Sequence, residues 1–270
     1  EGSFLAGAMA ALTTESDKLG FLGGLDIPLI NRFGAGFEQG AKWINPDVTV
    51  TWAYSPDSSN PWGDLSGGKT VAQSMIDTGV DIIFAAAGGT GLGVFDAAKE
   101  ATDAGSKTYA IGVDSNQDHL KKGIVLTSML KRVDVAVKTQ IDAVVDGTWK
   151  SGFQSLGLAE EGVGITDMEF TQAEANAQCG TQTRLEYVNS LSPGIIDGSI
   201  FINDSKPVVF NTTPHPCGTP PVSSSVEAST VTSVVTSVSV SVSETGGVPI
   251  ATLPIIFAIF ATVFILRKRK

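Results

Sequence analysis

Apolar and polar positions along most of the chain switch repeatedly between two periods. From Pro28, residues Ile30, Phe33, Phe37, Ala41 and Ile44 recur at three- and four-residue steps. That is the mark of one buried helix face, and proline suits a first helical turn. Val48 to Tyr54 alternates every second residue and predicts a strand. Short apolar runs at Leu19–Leu22, Asp81–Ala87, Thr108–Val113 and Ile124–Met129 read as further strands, mostly buried. Helical patterns cover Glu1–Leu12, Lys69–Thr78, Val94–Ala104 and Val133–Val145.

Strand–helix alternation with short connections implies an α/β fold with a parallel, doubly wound sheet. Such sheets bind ligands beyond the carboxyl ends of their strands. Gly23-Gly24, the glycines from Gly88 to Gly93, and Asp114 all fall at such ends. They are expected to converge on one edge.

Beyond residue 206 the pattern changes. Pro207 to Gly247 is proline-rich and then almost wholly Ser, Thr and Val, which fits an extended stalk. Its Val-Ser alternation at 237–243 also permits a strand. Val248 to Leu266 is continuously apolar, close to the roughly 20 residues a membrane-spanning helix needs. Arg267 to Lys270 then marks the cytoplasmic side and leaves the globular region outside. A buried core helix and a cleaved sorting signal are the alternatives. Two N-x-[ST] triplets, at Asn203 and Asn211, agree weakly with an external location. The first residue is Glu1, and a fragment of a longer protein is the expected reading.

Composition narrows the function. A net charge of −10 over 270 residues, with no basic stripe, disfavours nucleic acid as a partner. Two cysteines, Cys179 and Cys217, cannot build a structural zinc site, and no cofactor is expected. Outside the cell the two could form a disulfide; two separate thiols is the other reading. The histidines are His119 and His215, with no cysteine–histidine pair, metal cluster or nucleophile elbow. An enzyme is not expected.

Gly63 to Thr70 matches the G-x-x-x-x-G-K-[ST] phosphate loop. It does not follow a strand directly, and Asp64 would place a negative charge in the cradle. A loop leading into a capped helix is the preferred reading. Gly88-Gly-Thr-Gly-Leu-Gly93 follows a strand and opens a helix, leaving backbone N–H groups to point at a ligand. A plain tight turn is the alternative. Asp114 could accept hydrogen bonds from a sugar diol or simply cap a helix. Phe33 fits core packing by its periodicity alone.

Several stretches occur together and in order: Gly20-Phe-Leu-Gly-Gly, Phe33-Gly-Ala-Gly-Phe37, Ala86-Ala-Gly-Gly-Thr-Gly, Ile111-Gly-Val-Asp114, Thr127-Ser-Met-Leu-Lys131 and Leu156-Gly-Leu-Ala-Glu-Glu-Gly. The set resembles the basic membrane protein family of substrate-binding proteins, which includes bacterial purine nucleoside receptor lipoproteins. The resemblance spans residues 1 to about 206. It implies a periplasmic-binding-protein type I fold of two Rossmann-like lobes. Residues 19–124 would form one lobe, and 1–18 with 125–206 part of the other, whose remainder lies upstream.

By that resemblance Phe33 stacks on a nucleobase, with Phe37 one turn on as the alternative. Gly88 approaches the ligand through its backbone, Asp114 accepts from the ribose hydroxyls, and Lys131 donates nearby. The implied role is to capture a nucleoside outside the cytoplasm and deliver it to ABC permease subunits. A ligand-sensing receptor and a nucleoside hydrolase are the alternatives. The Ser55–Ser66 loop, with Trp62, is a place where ligand preference can differ.

Overall fold

The computed structural model of the chain describes residues 1–203. In chain order these form α1 (Gly2–Thr13), β1 (Lys18–Gly23), α2 (Pro28–Ile44), β2 (Thr49–Tyr54), α3 (Leu65–Asp77) and β3 (Ile82–Ala86). Then come α4 (Gly91–Asp103), β4 (Tyr109–Asp114), β5 (Val125–Lys131), α5 (Val133–Val145) and β6 (Val163–Ile165). Short elements follow: α6 (Gln172–Ala175), β7 (Gln178–Cys179), β8 (Gln182–Thr183), α7 (Arg184–Asn189) and α8 (Ser192–Ile196).

The main sheet has the order β2-β1-β3-β4-β5-β6. Side-chain parity divides its core in two. Leu19, Phe21, Ile82, Phe84 and Ile111 pack with α1 and α2 on one face. Leu22, Ile83, Ala85, Ala110 and Val125 pack with α3 and α4 on the other. Helices on both faces explain why the central strands are apolar runs rather than alternating ones.

On the first face α1 and α2 approach until their backbones touch. A Cβ added at Gly7 would overlap the carbonyl of Phe37, and one at Gly40 would overlap that of Phe4. The two glycines thus fix the crossing point. Asp81 holds the turn after α1, accepting from the Thr14 hydroxyl at 2.7 Å and from the N–H groups of Glu15 and Ser16.

The sheet is mixed, not purely parallel as expected. Strands β1 to β5 are parallel, and β6 runs antiparallel to β5. The reason lies in α5, none of whose residues is buried. A helix that covers no sheet face makes no crossover, and a strand returning without one pairs antiparallel. Val133, Val137, Ile141 and Val144 form an exposed apolar stripe along α5. The sheet also continues across residues 124 and 125, where a boundary between lobes is expected. There β5 pairs β4 from Ala110↔Val125 to Asp114↔Leu130.

The described residues end beside α2. The buried Gln39 side chain donates to the Asn203 carbonyl and accepts from its N–H, each at 2.7 Å. Cys179 is buried and disulfide-bonded; the chain's other cysteine, Cys217, lies outside the described residues. Among the described residues no helix is long and apolar enough to cross a membrane. The expected stalk (207–247), membrane helix (248–266) and basic tail (267–270) lie outside them.

Candidate functional site

The strand order reverses direction between β1 and β3, and crevices form at such points beyond the carboxyl ends. Gly23 is level with Tyr54 on β2 and Ala86 on β3. Phe84 is level with Ile111, so continuing that register brings Ala87 opposite Asp114. Asp114 in turn faces Leu130, one residue before Lys131. Gly24, Gly88 and Asp114 therefore stand along one edge, as their positions in the sequence imply, and Lys131, implied by the resemblance, stands there too.

Gly88 follows β3 with φ +55 and is exposed, opening the turn Gly88–Thr90 that leads into α4. Only glycine adopts that backbone without strain. Asp114 has φ +68, unusual for a residue with a side chain. Ser115 N–H donates to the Val113 carbonyl at 2.8 Å, closing a three-residue turn around it. The turn rests on buried polar groups. Val113 N–H donates to Gln117 Oε1, Gln117 N–H to Ser128 Oγ, and Ser128 Oγ to Asp118 at 2.6 Å. Thr166 donates to the other oxygen of Asp118, which is 1% exposed. This network holds the turn that carries Asp114.

Lys131 Nζ lies 2.7 Å from Asp114 Oδ1, and both side chains are 49% exposed. An acceptor and a donor so placed match neighbouring hydroxyls on one ring edge. Asp114 does not cap the following short helix, whose N-cap is Gln117. Lys131 also lines a cavity of about 530 Å³ with Phe33, Leu29, Arg32, Met129 and Leu156. Phe33 is half-buried on α2 and presents part of its ring there. Phe37 is fully buried, its ring 5.3 Å from that of Phe84, so the one-turn alternative is a core residue and cannot stack on a ligand. Lys131 thus links Phe33, with which it shares that cavity, to Asp114, which pairs with it but lies outside that cavity. Gly88 joins them through register and does not line that cavity.

The phosphate-loop match is a helix start. Asp64 is the N-cap of α3 and its carboxylate accepts from Gly67 N–H at 2.9 Å. Lys69 lies within α3 and pairs with Glu100 at 2.6 Å. Two side chains near the edge were not singled out as contacts by motif. Tyr54 donates to Asn31 at 2.6 Å, and burial together with nearby Asp26 pushes its phenol up to about 12. The Trp62 indole lies against Gly24, where a Cβ would overlap the ring.

Residues 1–210 match the family described as Bmp: ABC transporter substrate-binding protein PnrA-like. The chain belongs to this family. Among Bmp relatives it is similar to the ABC transporter nucleoside-binding protein BmpA of Lactococcus lactis, 36% identical over 56% of this chain and 46% of that protein. It is likewise similar to an uncharacterised lipoprotein of Pyrococcus abyssi, 36% identical over 63% of this chain and 43% of that protein. The chain therefore spans less than half the length of these Bmp relatives. A solved solute-binding protein of an Aeropyrum pernix ABC transporter system shares the fold. It is 32% identical, with a TM-score of 0.62 over 77% of this chain and 65% of that one.

Proposed function

We propose that this Bmp-family chain binds a nucleoside through its sugar and belongs to a receptor that feeds an ABC importer. The observation that carries the reading is the Asp114–Lys131 pair at the sheet edge, beside the cavity lined by Phe33. Asp114 accepts from the 2′ and 3′ hydroxyls, Lys131 donates to the same edge, and Phe33 gives its ring to the base. Gly88 lets the backbone come close. The similarity to a nucleoside-binding relative supports this ligand class, and a purine is the base we favour.

Binding needs a second surface to enclose the ligand. The exposed apolar stripe of α5 supports the reading that this helix faces a lobe completed by further polypeptide. Closure of two lobes would then make contacts that the open form lacks, and capture would follow by population shift. The apolar run 248–266 supports an anchor that leaves the binding region outside the cytoplasm. No step of this function requires catalysis.

Calorimetric titration of the full-length protein with nucleosides, free bases and ribose tests the ligand. Nucleosides should bind, and Asp114→Ala should weaken them more than about tenfold, the effect of losing hydrogen bonds to a charged group. Equal binding of free ribose, or no binding at all, overturns the reading. Delivery is tested separately by nucleoside uptake in cells lacking the gene. Unchanged uptake would leave a sensor rather than an importer component.

A further inference from the structure

The Ser55–Ser66 loop is pinned across the crevice between β1 and β3. Ser55 N–H donates to the Gly23 carbonyl at 2.8 Å, tying the start of the loop to β1. Its far end is held by Thr90, which is fully buried. The Thr90 hydroxyl donates to the Pro61 carbonyl at 3.0 Å and accepts from Asp64 N–H at 2.9 Å. Thr90 N–H reaches the Trp62 carbonyl at 3.3 Å. Internal bonds from Ser59 to Asp57 stiffen the turn between.

The result is one fixed aromatic side chain. The Trp62 indole lies on Gly24, and a Cβ added at Gly88 would stand 3.3 Å from the Trp62 carbonyl. Glycine at 24 is what lets the ring settle there. The residue is 42% exposed; its backbone and Cβ stand beside Gly88 while the ring lies on Gly24. Adjacent strands are about 4.8 Å apart, which puts the end of β1 about 10 Å from that of β4. A ribose fits in that span.

Resting on the nucleoside reading above, we infer that Trp62 is a ligand contact that meets the 5′ end of the ribose and limits what that end carries. A nucleoside's sugar has three exits. The base leaves toward Phe33, and the 2′,3′ edge faces Asp114 and Lys131. The 5′ carbon is the remaining exit and turns along the edge toward Gly88 and Trp62. An indole there packs against the apolar 5′ methylene and leaves little room for a larger group. The nearby Asp26 and Asp64 carboxylates add a charge barrier to a 5′-phosphate. The site would therefore take nucleosides and refuse their 5′-extended forms.

The test uses the full-length protein, an unmodified nucleoside and its neutral 5′-methylthio derivative, so that size is separated from charge. The parent protein should prefer the unmodified nucleoside by at least about tenfold, and Trp62→Ala should reduce that preference to about threefold or less. Intrinsic fluorescence gives a second readout. Nucleoside should quench the parent saturably, and Trp62→Phe, which keeps a ring in place, should lose most of that signal while still binding. Unchanged preference in Trp62→Ala, with the quench retained in Trp62→Phe, overturns the inference and leaves the nucleoside reading intact. A parent that binds no nucleoside overturns both together.

Discussion

At Asp114 the backbone holds φ +68 while the carboxylate pairs with Lys131. Left-handed backbone costs an L-residue about 1–2 kcal/mol, somewhat less for aspartate, and a half-exposed ion pair returns about 1 kcal/mol or less. Asp114→Gly should therefore leave the melting temperature unchanged or slightly higher while nucleoside binding is lost. Thermal melts beside calorimetry check this, and a clear drop in melting temperature would contradict it. Such strain accompanies a functional role more readily than a structural one. At this scale the sequence was only partly legible. The position of Asp114 at a strand end could be read from the apolar run before it, but its nearness to Lys131 came only from the family resemblance. That contact joins residues 17 apart through a β4–β5 pairing that no local pattern encodes. Phe37 was ambiguous for the opposite reason: it and Phe33 share one helical face, and only packing shows which reaches the cavity.

Among the elements, strands β1 to β4 and helix α2 follow their apolar periods closely, and α5 covers Val133–Val145 as its pattern implies. Helix α3 starts four residues earlier than its apolar pattern suggests, at Leu65 rather than Lys69, because Asp64 caps it through glycines that carry no periodic signal. Strand β6 is three residues long, too short for any period to register. Two element-scale predictions follow from packing and from charge. Gly40→Ala forces a Cβ onto the Phe4 carbonyl and should destabilise the protein by about 1–3 kcal/mol or more, seen as a lower denaturation midpoint. Helix α6 is held to β4 by Glu174, which accepts from Tyr109 and from Lys107. Burial pulls the Glu174 carboxyl up, yet those hydrogen bonds leave it below its ordinary 4.5. Its contribution to stability is thus complete above that value and disappears as the pH falls through the lowered one. Burial and Glu174 push Tyr109 up to about 12 from 10.0. The bonded phenol therefore stabilises fully below 10.0 and loses that contribution as the pH rises through about 12. Melting temperature against pH should show Glu174→Gln flattening both flanks; parallel profiles would refute the link.

For the molecule as a whole, α5 is the element that the described residues do not account for. Four aliphatic side chains on one helical face in water are a standing invitation to burial. If further polypeptide completes a lobe over it, Ile141→Asp should lower the melting temperature of the full-length protein, by about 2–4 kcal/mol in stability. No change would mean the stripe stays in solvent there too. The sequence could not decide this, because an amphipathic pattern names the face to be covered and not what covers it.

The clamp between Gln39 and Asn203 has a mechanical consequence. At Asn203 the Gln39 side chain bonds both the backbone carbonyl and the backbone N–H. That amide is on α2, six residues from Phe33 on the same helix. A pull on the chain at Asn203 would thus be felt at the helix that carries Phe33, the ring we propose for the base.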